Sequence, residues 1–166
     1  MPPFSNFTIK AQEALKKAHE LALERSQSSL DALHLLAGLL LQEEGVIVSL
    51  LDRLGIDYRA LADYVFDALD GRSGSHILTP PSQFYISPEL ARIIEEAHKA
   101  AIFLKDEYIS TEHLFLALIE SPSKAREILE RFRIEKEAVL KVLAGIRGSQ
   151  RVTDVEPETK YQVLEK

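Results

Sequence analysis

An all-α fold of two tandem four-helix repeats, about eight helices in all with pseudo-twofold symmetry, is what this sequence predicts. Three observations predict it. Apolar residues recur at three- and four-residue steps through most of the chain, the spacing of one helix face. No convincing strand alternation appears. Sliding the chain along itself by 79 positions pairs Ala18 with Ala97, His19 with His98, Ala22 with Ala101, His34 with His113, Leu35 with Leu114 and Leu39 with Leu118, without a gap. Two matched histidines set in matched apolar frames are better explained by internal duplication than by chance. A one-residue adjustment, to a shift of 78, extends the match by aligning Leu51 to Ile56 with Leu129 to Ile134.

The first helix is expected from Thr8 to Arg25, with Ala11, Ala14, Leu15, Ala18, Leu21 and Ala22 on its buried face and Thr8 as N-cap. Asp31 caps a second helix running to about Glu43, stopped by Gly45 and apolar nearly all round, hence central. A third spans about Val46 to Leu54 and ends at Gly55, and a fourth follows Asp57 to about Leu69. The stretch Asp70 to Tyr85 holds two Gly, two Pro and three Ser and reads as a loop joining the repeats. Ser87-Pro88-Glu89 is the strongest start signal in the chain: Ser caps, Pro presets φ, and Glu complements the helix dipole. That helix runs to about Leu104, with Leu90, Ile93, Ile94, Ala97, Ala101 and Leu104 on one face. Ser110 caps the next to about Glu120, Pro122 begins or precedes one to about Phe132, and the last spans Glu135 to Arg147. The domain therefore covers 1–148, with repeats at about 8–70 and 87–147 and a connecting loop at 70–86. Residues 149–166 lack a helical stripe until Tyr161 and Leu164, and read as a linker into a further module.

Composition narrows the function. The chain has 166 residues, 46% hydrophobic, 28% charged and without cysteine, enough to bury a core with no disulfide or metal staple. Twenty Lys plus Arg against 26 Asp plus Glu give a net charge of −6, and no basic run exceeds Lys16-Lys17, so nucleic acid is not an expected partner. The N-terminus lacks the charged and apolar regions of a secretory signal, and the longest apolar run, Leu35 to Leu41, falls far short of the ~20 residues that span a bilayer. A soluble, cytoplasmic protein without membrane partners is expected.

Chemistry-bearing motifs are missing. No Gly is followed by Lys, which removes the phosphate-cradling loop, and the five His show no compact metal-ligand spacing. No Gly-x-Ser-x-Gly nucleophile turn occurs. Neither catalytic nor metal residues are predicted. The repeated His are read as helix-packing residues whose ring nitrogens find local hydrogen bonds. Two features stand apart. Phe103 lies about 120° off the buried stripe of its helix, and its first-repeat partner is Glu24; it is either exposed or folded under a loop or against the other repeat. Asp106 to Glu112 is a polar turn carrying acidic groups into a helix N-terminus, which serves either as plain capping or in function.

The opening Phe7-Thr8-Ile9-Lys10-Ala11-Gln12-Glu13-Ala14-Leu15, the turn Tyr108-Ile109-Ser110-Thr111-Glu112-His113-Leu114 and the segment Gly148-Ser149-Gln150-Arg151-Val152-Thr153-Asp154 resemble the N-terminal domain of the Clp-type AAA+ chaperones. The end of the chain, Lys160 to Lys166, resembles the join into the first ATPase module of the ClpB-type disaggregases. The resemblance implies a mobile, non-catalytic module that recognises unfolded or aggregated polypeptide and delivers it to a threading ATPase ring. It implies no cofactor in this piece, with ATP and Mg in a full-length hexameric protein that works with a DnaK-type chaperone system. Residues that affect substrate handling in the family match Thr8, Asp106 and Glu112. Helix phase plus the resemblance place Ile94, Ala100, Phe103 and Ile109 around an apolar groove, whose flanking carboxylates are expected to favour basic client residues. The runner-up is adaptor docking, as in the ClpC or ClpA branch. The phosphoarginine-reading Thr-Glu-His turn that the ClpC branch carries in both repeats is matched here only by Thr111-Glu112-His113, its first-repeat counterpart being Ala32-Leu33-His34.

Overall fold

The computed structural model describes residues 6–43, 45–71 and 85–148. Among them lie eight helices: α1 Ile9–Glu24, α2 Ala32–Leu40, α3 Val46–Arg53, α4 Tyr58–Asp70, α5 Pro88–Phe103, α6 Thr111–Glu120, α7 Lys124–Arg131 and α8 Lys136–Arg147. The all-α expectation holds, and six of the eight helices begin at a side-chain cap. Thr8, Asp57, Ser87 and Ser123 accept from the backbone N–H three residues on, and Asp31 and Ser110 head capping boxes. One boundary differs. α2 ends at Leu40, short of Glu43, and Gly45 serves as N-cap of α3 in extended backbone, so this glycine opens a helix instead of closing one. Most of the expected inter-repeat loop, and the linker 149–166, lie outside the described residues.

The duplication reaches atomic detail. Ser26 and Lys105, both at positive φ, correspond under the 79-residue shift, and the N–H groups after them, of Gln27 and Asp106, donate to the matched carbonyls of Ala22 and Ala101. Gly55 and Arg133, also at positive φ, correspond under the 78-residue shift, with Ile56 and Ile134 donating to Leu51 and Leu129. These are left-handed helix stops that satisfy orphan carbonyls. Across the repeats, α3 packs on α6 and α8 as α7 packs on α2 and α4.

Short strand pairings exist that sequence periodicity did not predict. β1 (Ser29–Leu30) pairs in parallel with β2 (Tyr85–Ile86), and an isolated bridge joins Phe7 to Ile109. Two-residue segments are too brief to show alternation, and their partners lie in the other repeat. The N–H of Thr8 donates to the Ile109 carbonyl at 2.9 Å, and that of Ser87 to the Leu30 carbonyl at 3.0 Å. The shift of 79 carries Thr8 onto Ser87 and Leu30 onto Ile109, so these are one bond seen twice. Each repeat clasps the other before its first helix begins.

One core results. All nine residues of α2 are buried, as are Thr111 to Leu118 of α6. Gly38 lets α2 lie against α1: a Cβ there would stand 2.5 Å from the Ala14 carbonyl oxygen. The expected buried face of α1 is buried in full, whereas Ile94 and Leu104 of the α5 stripe are only half-buried.

Candidate functional site

The matched histidines His34 and His113 occupy the third helical position of α2 and α6. Their Nδ1 atoms accept from the backbone N–H of Asp31 (3.0 Å) and Ser110 (2.8 Å), which leaves the proton on Nε2. Nε2 then donates to Gln27 Oε1 at 2.5 Å in repeat one and to Asp106 Oδ2 at 2.7 Å in repeat two. Both rings are fully buried, so this pair serves architecture, as the repetition suggested.

Around His113 the second repeat has become ionic. Asp106 Oδ1 accepts from Arg147 Nη2 at 2.6 Å, and Glu112 Oε2 lies 3.6 Å from Arg147 Nη1, with both carboxylate side chains at 0% exposure and the guanidinium at 6%. This corrects the expectation that Asp106 and Glu112 flank a groove where they favour basic client residues, since both are buried. Removed from water, a carboxylate requires a cation and hydrogen bonds, and here both groups turn inward to hold the end of α8. Sequence reasoning missed Arg147. The signal was present in the shift, since Glu112 corresponds to Leu33 in a helix that is apolar all round, and a Glu at such a position demands a buried cation. Thr8 is interior as well: its Oγ1 accepts from the Ala11 N–H at 3.1 Å and its backbone forms the clasp to Ile109.

The two most exposed large apolar side chains among the described residues sit at the end of α5, where Phe103 is 78% and Ile102 63% exposed. Of the two readings left open for Phe103, exposure is the one observed. Two clefts share its side chain. One, of about 180 Å³, lies between α5, α6 and α8 and includes Ala100, Leu104, Leu116 and Leu140, with Glu96, Lys99, Glu120 and Lys136 also lining it. Lys136 Nζ meets a Glu120 carboxylate oxygen at 2.8 Å. The other, of about 260 Å³, lies between the end of α5 and α8, against Leu104, Leu140, Leu143, Ala144 and Arg147. The structure therefore brings together Ala100 and Phe103 of the expected groove. Ile94 is half-buried against the core and lines neither cleft, and Ile109 is only 2% exposed because its strand position clasps Phe7. Among the described residues, no group of three or more His, Asp or Glu is placed to hold a metal ion, and no helix is long and apolar enough to cross a membrane.

Comparison with known proteins agrees with this architecture. Residues 6–132 match the family described as the Clp repeat N-terminal domain. The chaperone protein ClpB of Nitratidesulfovibrio vulgaris is 39% identical across 96% of this chain, which spans 19% of that relative's length. Among solved structures, the Hsp104 N-terminal domain of Candida albicans superposes with a TM-score of 0.81 at 23% identity, covering 93% of this chain and 99% of that one. A ClpV N-domain in complex with a VipB peptide gives 0.66 at 21% identity, covering 85% and 86%. At these identities the two structures establish the shared fold.

Proposed function

This chain belongs to the Clp repeat N-terminal domain family, and from that premise we propose that it is the substrate-binding module of a ClpB-type disaggregase. It captures unfolded or aggregated polypeptide for ATP-driven threading by AAA+ modules of the same chain. In this reading the fragment is non-catalytic and cytoplasmic. ATP, Mg, the hexamer and cooperation with a DnaK-type chaperone system belong to the full-length protein.

One observation carries the reading: Phe103 stands out of the surface between two apolar clefts. Exposed apolar side chains are what unfolded chains have and folded ones hide. Fully covering Phe103 or Ile102 contributes roughly 1.5–3 kcal/mol each, and ordering a flexible client segment offsets most of that. Weak capture suits hand-over to a motor. Ala100 and Phe103 make contact in this proposal. Thr8 and Ile109 act in it only through the clasp between the repeats and Ile94 through the core, while Asp106 and Glu112 act by positioning Arg147 at the cleft wall.

Titrating the 166-residue domain with fluorescently labelled unfolded casein tests this. Phe103→Ala is expected to weaken binding about tenfold, the loss of most of one buried aromatic side chain. Undiminished binding by that variant places the client elsewhere. A second reading, docking of a folded adaptor as in ClpC or ClpA, is favoured by the ClpV N-domain, whose similar fold holds a defined peptide. Recovery of one stoichiometric folded partner on immobilised domain supports docking, and a scatter of aggregation-prone proteins supports client capture.

A further inference from the structure

The two repeats part company where the end of the first helix meets the fourth. The C-cap of α1 is Arg25, and its counterpart closing α5 is Leu104. In the fourth helices the shift of 78 superposes the N-caps Asp57 and Glu135 and the buried positions Leu61 and Val65 on Val139 and Leu143. That register sets Phe66 against Ala144 and Asp70 against Gly148.

In repeat one this angle between helices is occupied. Phe66 is half-buried against the core, and the Arg25 guanidinium lies over its ring, 5.9 Å from the centroid. Arg25 is fastened there, its Nε donating to Asp70 Oδ1 at 2.9 Å and its Nη1 to the Leu21 carbonyl at 3.3 Å. In repeat two the ring is replaced by a methyl group, the cation by Leu104, and its carboxylate anchor by Gly148. What remains is the cleft of about 260 Å³ beside Phe103.

We infer that this cleft is a subsite for one aromatic side chain of the client, filling the place that Phe66 fills within repeat one, and that each domain therefore holds one such side chain and not two. The inference rests on the client-binding reading above and names what the site selects. The occupant is identified by the chain itself, since the same fold in repeat one shows what sits at that angle. A ring entering repeat two would lie on Leu140 and Ala144 with the Phe103 ring at hand for an offset or edge-on contact, which a methyl group cannot make. Selection by the cleft is then a matter of apolar area and ring geometry.

The test uses short fluorescent peptides that carry a single Phe, Leu or Ala in an otherwise identical Gly-Ser-Lys frame, titrated against the 166-residue domain. The Phe peptide is expected to bind with one-to-one stoichiometry and about tenfold more tightly than the Ala peptide, with Leu between them. Ala144→Phe places a ring in the cleft as repeat one does and is expected to abolish the preference; Lys141→Ser, exposed on α8 and outside the cleft lining, preserves it. Ala144 is exposed, so a larger side chain there disturbs no packing. Independently, Arg25→Leu with Phe66→Ala empties the matching angle of repeat one, and stoichiometry is expected to rise to two. A preference that survives Ala144→Phe, or two Phe peptides on the unmodified domain, overturns the inference. If casein binding still depends on Phe103 in that event, the client site stands and only the aromatic subsite falls; if casein does not bind the domain at all, the functional reading falls and takes the subsite with it.

Discussion

Replacing the buried ionic trio of repeat two by its counterparts in repeat one separates what the charges contribute from what the shape contributes. Asp106, Glu112 and Arg147 correspond to Gln27, Leu33 and Leu69, the last through the shift of 78. Asp106→Ala alone leaves Arg147 and His113 buried without the carboxylate that holds them at 2.6 and 2.7 Å. Breaking a buried pair from one side costs about 3–5 kcal/mol, and the low end applies because Glu112 stays 3.6 Å from the guanidinium. Gln27→Ala removes a neutral partner from His34 and costs about 1–3 kcal/mol. The triple variant Asp106→Gln, Glu112→Leu, Arg147→Leu removes all three charges together and supplies the residues the same fold already packs. Buried ion clusters exchanged for well-packed apolar groups are commonly neutral or stabilising by about 1–4 kcal/mol. Urea unfolding followed by far-UV circular dichroism reads all three. The expected order is triple variant at or above the unmodified domain, then Gln27→Ala, then Asp106→Ala. Because the carboxylates act by position, the triple variant is expected to keep casein binding that Asp106→Ala loses. A triple variant as unstable as Asp106→Ala refutes the equivalence of the two sites.

Three further outcomes follow from local geometry. Thr8→Ala loses the hydroxyl that accepts from Ala11 but keeps the backbone clasp to Ile109, so thermal unfolding should show a loss of about 1 kcal/mol with the fold intact. Gly38→Ala drives a Cβ to 2.5 Å from the Ala14 carbonyl and should cost about 1–3 kcal/mol in the same assay, whereas the matched position 117 already carries alanine; a neutral result refutes the close approach of α1 and α2. The Tyr58 phenol, which donates to the Leu40 carbonyl, is raised above its ordinary value of 10.0 by burial and by the nearby Glu43 charge. Its contribution is therefore fully present below pH 10.0 and lost as pH climbs through the raised value. Tyr58→Phe should remove this alkaline component of the pH–stability profile, and a profile of unchanged shape refutes the assignment.

The fold was largely legible in the sequence because its signals are local. Thr8, Asp31, Asp57, Ser87 and Ser110 announce helix starts through side chains that reach only three residues along the chain. The 79-residue self-match then fixes the number of repeats. What escaped is nonlocal. The clasp joins Thr8 to Ile109 and Leu30 to Ser87, and no pattern of alternation can live in two residues. The ion cluster joins Asp106 to Arg147 across 41 positions, so the acidic turn looked like a charged rim. Phe103 was legible as an off-stripe residue. Ile109 was misplaced because its bridge to Phe7 is nonlocal, and Ile94 because helix phase gives the direction of a side chain and not the cleft it reaches.

The halves diverge at two places, the buried ionic cluster around His113 and the junction of first and fourth helices. The histidine boxes, the positive-φ stops and the reciprocal clasps remain paired, because altering one side of any of them would leave backbone polar groups buried without partners. At the junction of first and fourth helices the constraint is lighter, since beyond its cap Arg25 satisfies only the Leu21 carbonyl and Leu104 has no polar side chain. Repeat one closes that junction with Phe66, Arg25 and Asp70; repeat two leaves it open and, just beneath, ties α8 down through Arg147 to Asp106 and Glu112. The buried ion cluster fixes the end of α8 at hydrogen-bonding distance from the α5–α6 turn. Arg147, held by the inward-facing carboxylates, thus also lines the cleft beside the exposed Phe103.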